Sequence, residues 1–142
     1  MSCELCEQAG GTVLWHDEFC RVVRVASDEF PAFCRVILAR HVREMTDLAA
    51  PERERLMRAV FACEQALREV VQPHKVNLAS LGNQMPHLHW HVIPRFADDA
   101  HFPDPVWATR KRDPQTIRTD KIRLVEQMKR RLGELRQMKT SR

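Results

Sequence analysis

The 142-residue chain has no run of eighteen apolar residues, which excludes a membrane-spanning helix. Its opening stretch, MSCELCEQAGG, has neither the basic n-region nor the apolar h-region of a signal peptide, so a cytoplasmic location is expected. An even set of cysteines is also lacking. Cys3, Cys6, Cys20, Cys34 and Cys63 do not make a complete disulfide framework, and free thiols or metal ligands are the better reading. Cys20, Cys34 and Cys63 sit in hydrophobic runs and are expected to be buried as small apolar residues. Internal repeats, low-complexity segments and an aromatic-rich platform for single-stranded nucleic acid are absent as well.

The charge that is present is uneven. Residues 110–142 hold twelve Lys or Arg against four acids, whereas residues 1–109 hold eleven against fifteen. A basic segment of this kind attracts anions, yet it is equally a solvated helix face, and nucleic acid is not expected as a partner. The length fits a single domain spanning 1–142, with a core at about 3–108 and a basic helical extension at about 114–139.

TVLWH and FCRVVRV are short β-branched runs separated by Asp17-Glu18, which predicts a hairpin. FCRVILA, residues 33–39, is a third strand. A strong helix follows, with Pro51 in its first turn, Glu52 and Glu54 at its positive end, and apolar residues at Leu56, Met57, Val60, Phe61, Leu67, Val70 and Val71; Pro73 ends it. KVNLAS (75–80) and HLHWHVI (87–93) read as strands joined by LGNQMP. A last helix is expected from Ile117 to Met138, with apolar positions Ile122, Val125, Met128, Leu132, Leu135 and Met138; it either packs within the chain or supports dimerisation. This order predicts an α+β domain whose mainly antiparallel five-stranded sheet carries one long helix after strand 3 and a second helix at the C-terminus.

HLHWHV places three of the seven histidines at alternate positions. In a strand His87, His89 and His91 share one face, while Leu88, Trp90 and Val92 face the core. Neighbouring members lie ~7 Å apart and the outer pair ~13 Å apart along a straight strand. Zinc–nitrogen bonds are only ~2.1 Å long, so a single ion does not collect all three rings, although two could share one. A row of imidazoles suits phosphoryl chemistry better, because a neutral ring attacks phosphorus while a neighbour binds oxygens or donates a proton. The plain alternative is a polar strand face.

HLHWHVIPR resembles the His-x-His-x-His signature of the histidine triad (HIT) family, including the Pro-Arg that often follows it. Two further stretches agree: His41-Val42-Arg43-Glu44-Met45-Thr46-Asp47-Leu48, and the N-terminal Cys3-x-x-Cys6. NLASLGNQMPHLHWHVIPRF with HFPDPVW is similar to a bacterial subgroup of HIT hydrolases of the diadenosine tetraphosphate hydrolase type. The resemblance implies a HIT-like fold, a homodimer, and a nucleotidyl hydrolase or transferase acting on a phosphoanhydride or phosphoramidate. By similarity His89 attacks phosphorus and forms a nucleotidyl-histidine intermediate, His91 hydrogen-bonds the phosphate, and His87 orients His89, partly through its carbonyl. No metal is required at phosphorus. The family's Gly-Gln before the triad is Gly82-Asn83-Gln84 here, so Asn83 or Gln84 takes the phosphate contact. A second upstream histidine of the family is replaced by Phe33. Asn77 and Asp28 are further nucleotide candidates, Asp28 either at the ribose or as a turn cap. A nucleotide-binding regulatory protein with little turnover is the alternative function.

Cys3, Cys6, His41 and His87 form a Cys₂His₂ set matching a structural zinc site of some relatives; an idle cysteine pair is the alternative. His87 therefore orients the nucleophile, binds zinc, or does both. Arg95 reaches phosphate or makes a surface salt bridge. Trp107 is expected in the core, with closure over a nucleotide or a dimer contact as alternatives. His16, His74 and His101 are expected at the surface or the core edge.

Overall fold

Asp17 closes the first hairpin: its Oδ1 accepts the backbone N–H of Phe19 and of Cys20, both at 2.8 Å, which reverses the chain between two β-branched runs. The computed structural model describes residues 2–114 and 119–140. In chain order they form α1 (Glu4–Glu7), β1 (Thr12–His16), β2 (Cys20–Arg24), β3 (Cys34–Leu38), α2 (Ala50–Val71), β4 (Lys75–Ala79), β5 (His89–Arg95) and α3 (Lys121–Thr140). The five strands make one sheet in the order β1-β2-β3-β5-β4, and every neighbouring pair is antiparallel. This is the α+β architecture expected, with the long helix after the third strand. β2, β3 and β4 are each a residue or two shorter than the runs that predict them, α1 has no counterpart among the expected elements, and β5 begins at His89 instead of His87 and continues through Pro94 to Arg95.

The capping chemistry of α2 is legible in its ends. Glu52 turns back to accept the N–H of Ala49 at 3.0 Å, Pro51 sits in the first turn, and Gln72 stops the helix in the left-handed region at φ 47° before Pro73. Its inner face, Leu56, Ala59, Val60, Cys63, Ala66 and Leu67, is buried against the sheet. The spacing of Phe61 predicts the same face, but the side chain is 49% exposed, because the helix is buried along Ala59, Ala62 and Ala66 instead. α3 packs along α2 and reaches β1, burying Leu124, Met128 and Leu132 at four-residue spacing. An ion pair between Arg131 and Glu69 ties the two helices together. The expected helix start at Ile117 and the side chain of Met138 lie outside the described residues. Among the described residues, no helix is long and apolar enough to cross a membrane.

Strand alternation divides the sheet into two chemically different faces. Val22, Cys34, Val36, Leu38 and Val92 are fully buried toward α2, with Leu88 beside them. The intervening residues turn to the other face. The ladder sets Arg35 opposite His91 and Ile37 opposite His89 on β3 and β5, Ala79 opposite His91 on β4 and β5, and Arg21 opposite Ile37 on β2 and β3. Register alone therefore gathers arginines and histidines on the face that α2 and α3 leave uncovered.

Candidate active site

The three histidines divide into two groups. His89 and His91 stand on the open face, their ring centroids 5.0 Å apart and their planes nearly perpendicular at 80°. His89 Nδ1 lies 2.6 Å from the carbonyl oxygen of His87. A carbonyl only accepts, so Nδ1 carries the proton and the lone pair is left on Nε2. Ser80 Oγ donates to the His89 carbonyl at 2.8 Å and fixes the backbone there. Burial lowers the pKa of His89, Arg35 lowers it further, and the bond to His87 only partly opposes them. Burial, then His89 and Arg35, bring His91 down to about 4. At neutral pH both rings are uncharged, the state a nucleophilic imidazole requires. Phe33 and Trp107 meet the His91 ring edge-on at 5.5 and 5.3 Å, and His91 Nδ1 is buried without a partner among the described residues. Phe33 thus packs directly on the ring of His91.

His87 precedes the strand and turns to a different set of groups. Its Nδ1 lies 3.4 Å from Cys3 Sγ, 3.4 Å from Cys6 Sγ and 3.2 Å from His41 Nδ1, while Cys6 Sγ and His41 Nδ1 are 3.5 Å apart. All four ligand atoms fall within 4.8 Å of one another. Tetrahedral zinc with ordinary bond lengths separates two nitrogens by about 3.4 Å and a sulfur from a nitrogen by about 3.6 Å, so the spacing fits the ion. His87 Nε2 donates to the Leu38 carbonyl at 2.6 Å, which fixes its tautomer and aims the Nδ1 lone pair at the cluster. Arg21 holds the N-terminal turn in place by donating to the carbonyls of Leu5, Gln8 and Ala9 at 2.7 to 2.9 Å. Burial is the largest influence lowering the pKa of His87. A cavity of about 310 Å³ opens beside His87 and His89, with Arg43, Thr46, Ser80 and Trp90 in its wall.

Asn83 and Gln84 are exposed in the loop leading to β5, and neither side chain hydrogen-bonds another described residue. That loop turns at Gly82, whose φ of +75° suits glycine. Asn77 Oδ1 accepts from Arg95 Nη1 at 2.8 Å. Asp28 is exposed; the turn is capped by Ser27, whose Oγ accepts the N–H of Phe30 at 3.0 Å. His16 and His74 are exposed, and His101 is buried at 6% exposure, 3.0 Å from Glu29 and stacked on Phe30.

Two expectations are corrected. Arg95 is neither at the surface nor turned to the histidines: it is 2% exposed and forms a two-pronged pair with Asp99, at 2.8 and 3.0 Å. Nη1 donates to Asn77, and Nη2 donates to the Asp104 carbonyl as well as to Asp99, so the pair fastens the loop after β5 back onto the sheet. Trp107, carried by that loop, is 53% exposed against His91 instead of in the core. Sequence reasoning also passed over Arg35, although a cation inside the apolar run FCRVILA was its signal.

These features place the molecule among proteins that present paired histidines on an open sheet face beside a Cys/His cluster. The chain belongs to the HIT domain family, whose model matches residues 7–98. A histidine triad protein from Bradyrhizobium japonicum is similar at 25% identity and a TM-score of 0.73, over 93% of this chain and 96% of that one. Another from Marinobacter aquaeolei VT8 gives 25% and 0.73 over 95% and 97%. A zinc-bound histidine triad family protein from Mycobacterium smegmatis shares the fold at 24% identity and a TM-score of 0.59, over 100% and 99%. No match is found among curated proteins.

Proposed function

We propose that the protein is a nucleotidyl hydrolase or transferase that cleaves a nucleotide phosphoanhydride or phosphoramidate through a covalent bond to His89. The observation that carries this reading is the 2.6 Å contact from His89 Nδ1 to the His87 carbonyl, which leaves an uncharged Nε2 lone pair beside the His91 ring. Nε2 attacks phosphorus, the bond to the leaving group breaks, and the departing oxygen or nitrogen takes a proton from solvent water. Water then displaces the imidazole and releases the nucleoside monophosphate. One difficult displacement becomes two easier ones. His91 binds the phosphate oxygens, and Asn83 or Gln84, free in the adjoining loop, adds a donor. Asp28 at the ribose belongs to the same reading. No step needs a metal at phosphorus.

Zinc fits Cys3, Cys6, His41 and His87, and when bound it clamps the N-terminal turn to the residue whose carbonyl orients the nucleophile. The homodimer implied by family resemblance is also part of the proposal and is tested by sedimentation velocity. Dinucleoside polyphosphates and adenosine phosphoramidates are the substrate classes. Hydrolysis of adenosine phosphoramidate by the wild type, lost by roughly 10³-fold or more in a folded His89→Ala variant, is the expected result. Mass analysis of rapidly quenched wild type should find the nucleotidyl adduct on His89. If the wild type binds AMP but turns over no adenylated substrate, the regulatory alternative replaces this reading.

A further inference from the structure

Three arginines of the open sheet face invite comparison. Arg21 satisfies its guanidinium with three backbone carbonyls, and Arg95 is fully engaged by Asp99, Asn77 and Asp104. Arg35 is different. It is half-buried, its Nε is buried with no hydrogen-bond partner among the described residues, and its Nη1 has only a long 3.4 Å contact with the Gly10 carbonyl. No described carboxylate pairs with it; Glu4 acts on it only at longer range. Leaving a cation partly desolvated and short of acceptors is unfavourable unless a partner arrives. The β3–β5 ladder puts this residue directly across from His91, and cross-strand neighbours have Cβ atoms about 5 Å apart. His91 itself carries a second buried nitrogen without a partner. Two unsatisfied groups thus sit side by side, next to the nucleophile.

We propose that Arg35 is a substrate-binding residue that receives an anionic phosphate oxygen over the His89–His91 pair. The missing counter-charge is supplied by the ligand, and the guanidinium offers donors in a planar fork suited to phosphate. This rests on the nucleotide reading of the site and adds to it the group that senses phosphate charge. Substrates are accordingly phosphorylated species, bound in proportion to the charge they bring to this edge, and an uncharged nucleoside gains nothing from Arg35.

The test uses the full chain loaded with zinc and measures binding of AMP and of adenosine by calorimetry, alongside turnover of adenosine phosphoramidate. Folded Arg35→Met, which keeps the stem and removes the charge, should lose roughly ten- to hundredfold in AMP affinity with adenosine affinity unchanged. AMP affinity within twofold of wild type, or an equal loss for adenosine, overturns the assignment. Should Arg35→Met not fold, dicarbonyl footprinting of the wild type gives the same decision. AMP, and not adenosine, should shield Arg35 from modification, and equal modification with and without AMP overturns the proposal. Arg35-dependent AMP binding without turnover retires hydrolysis and leaves Arg35 in place. Turnover that ignores Arg35→Met retires Arg35 and leaves hydrolysis.

Discussion

Replacing Arg95 by methionine should destabilise the protein severely. The guanidinium is 2% exposed and Asp99 is 1% exposed, so the substitution leaves a buried carboxylate without its counter-ion. Breaking such a pair from one side typically lowers stability by roughly 3–5 kcal/mol. Against a total of about 5–15 kcal/mol, and with a urea slope of about 2 kcal/mol/M, the midpoint should move down by roughly 2 M. A double variant, Arg95→Met with Asp99→Leu, should recover only part of the loss. The reason is that Asp99 also accepts the N–H of Phe96, His101 and Phe102 at 2.8 to 3.0 Å, and these donors would be orphaned. Acid sensitivity follows from the same pair. Burial by itself pushes the Asp99 carboxyl up, but Arg95 and the three N–H groups outweigh it and hold the pKa at about 2, against an ordinary 3.8. A depressed folded pKa contributes stability that is complete above the unfolded value and is lost as pH falls from about 4 through about 2; the amount is about 2 kcal/mol. Urea titrations of wild type and Arg95→Met at several pH values measure both effects. A loss below about 1 kcal/mol for Arg95→Met at neutral pH would refute the reasoning.

Three other outcomes are expected. Purified protein should carry about one zinc per chain by plasma mass spectrometry, and Cys3→Ser or Cys6→Ser should remove it and lower Tm by roughly 5 °C or more; metal content equal to wild type in both variants would contradict the four-ligand site. Trp107→Ala should reduce kcat/KM for adenosine phosphoramidates with aromatic leaving groups by roughly three- to tenfold, with Trp107→Phe closer to wild type, as expected of an aromatic contact beside His91; no change in either variant would remove Trp107 from the site. Phe61→Glu should keep stability within about 0.5 kcal/mol, because that side chain is 49% exposed, and a larger drop on urea titration would show that it is covered in solution.

Much of the fold could be read in advance because its signals are local. The β-branched runs, Asp17 at the hairpin, Pro51 and Glu52 at the start of α2 and Pro73 after it each act within a few residues. The alternation in HLHWHV likewise gave the shared direction of His89 and His91. His87 departed from that pattern because β5 starts two residues later, and the choice is made by distant groups: Cys3 and Cys6 on one side and the Leu38 carbonyl on the other. The burial of Arg95 is hidden for a similar reason, since nothing adjacent to it announces that Asp99 and Asp104 fold back over its head. Arg35 needed the ladder register with β5, which pairs residues 56 positions apart, before its proximity to His91 became visible.

The two-faced sheet has a consequence for damaged versions of the protein. A slip of one residue between β3 and β5 would send Arg35 toward α2 and bring Cys34 and Val36 to the open face, so the alignment that buries the core is the same one that assembles the histidine face. Chains that lose this alignment lose the buried core and the histidine face together. Variants weakened anywhere in the core should therefore yield fewer active molecules, each working at the normal rate, and turnover per folded molecule should stay level while the folded fraction declines.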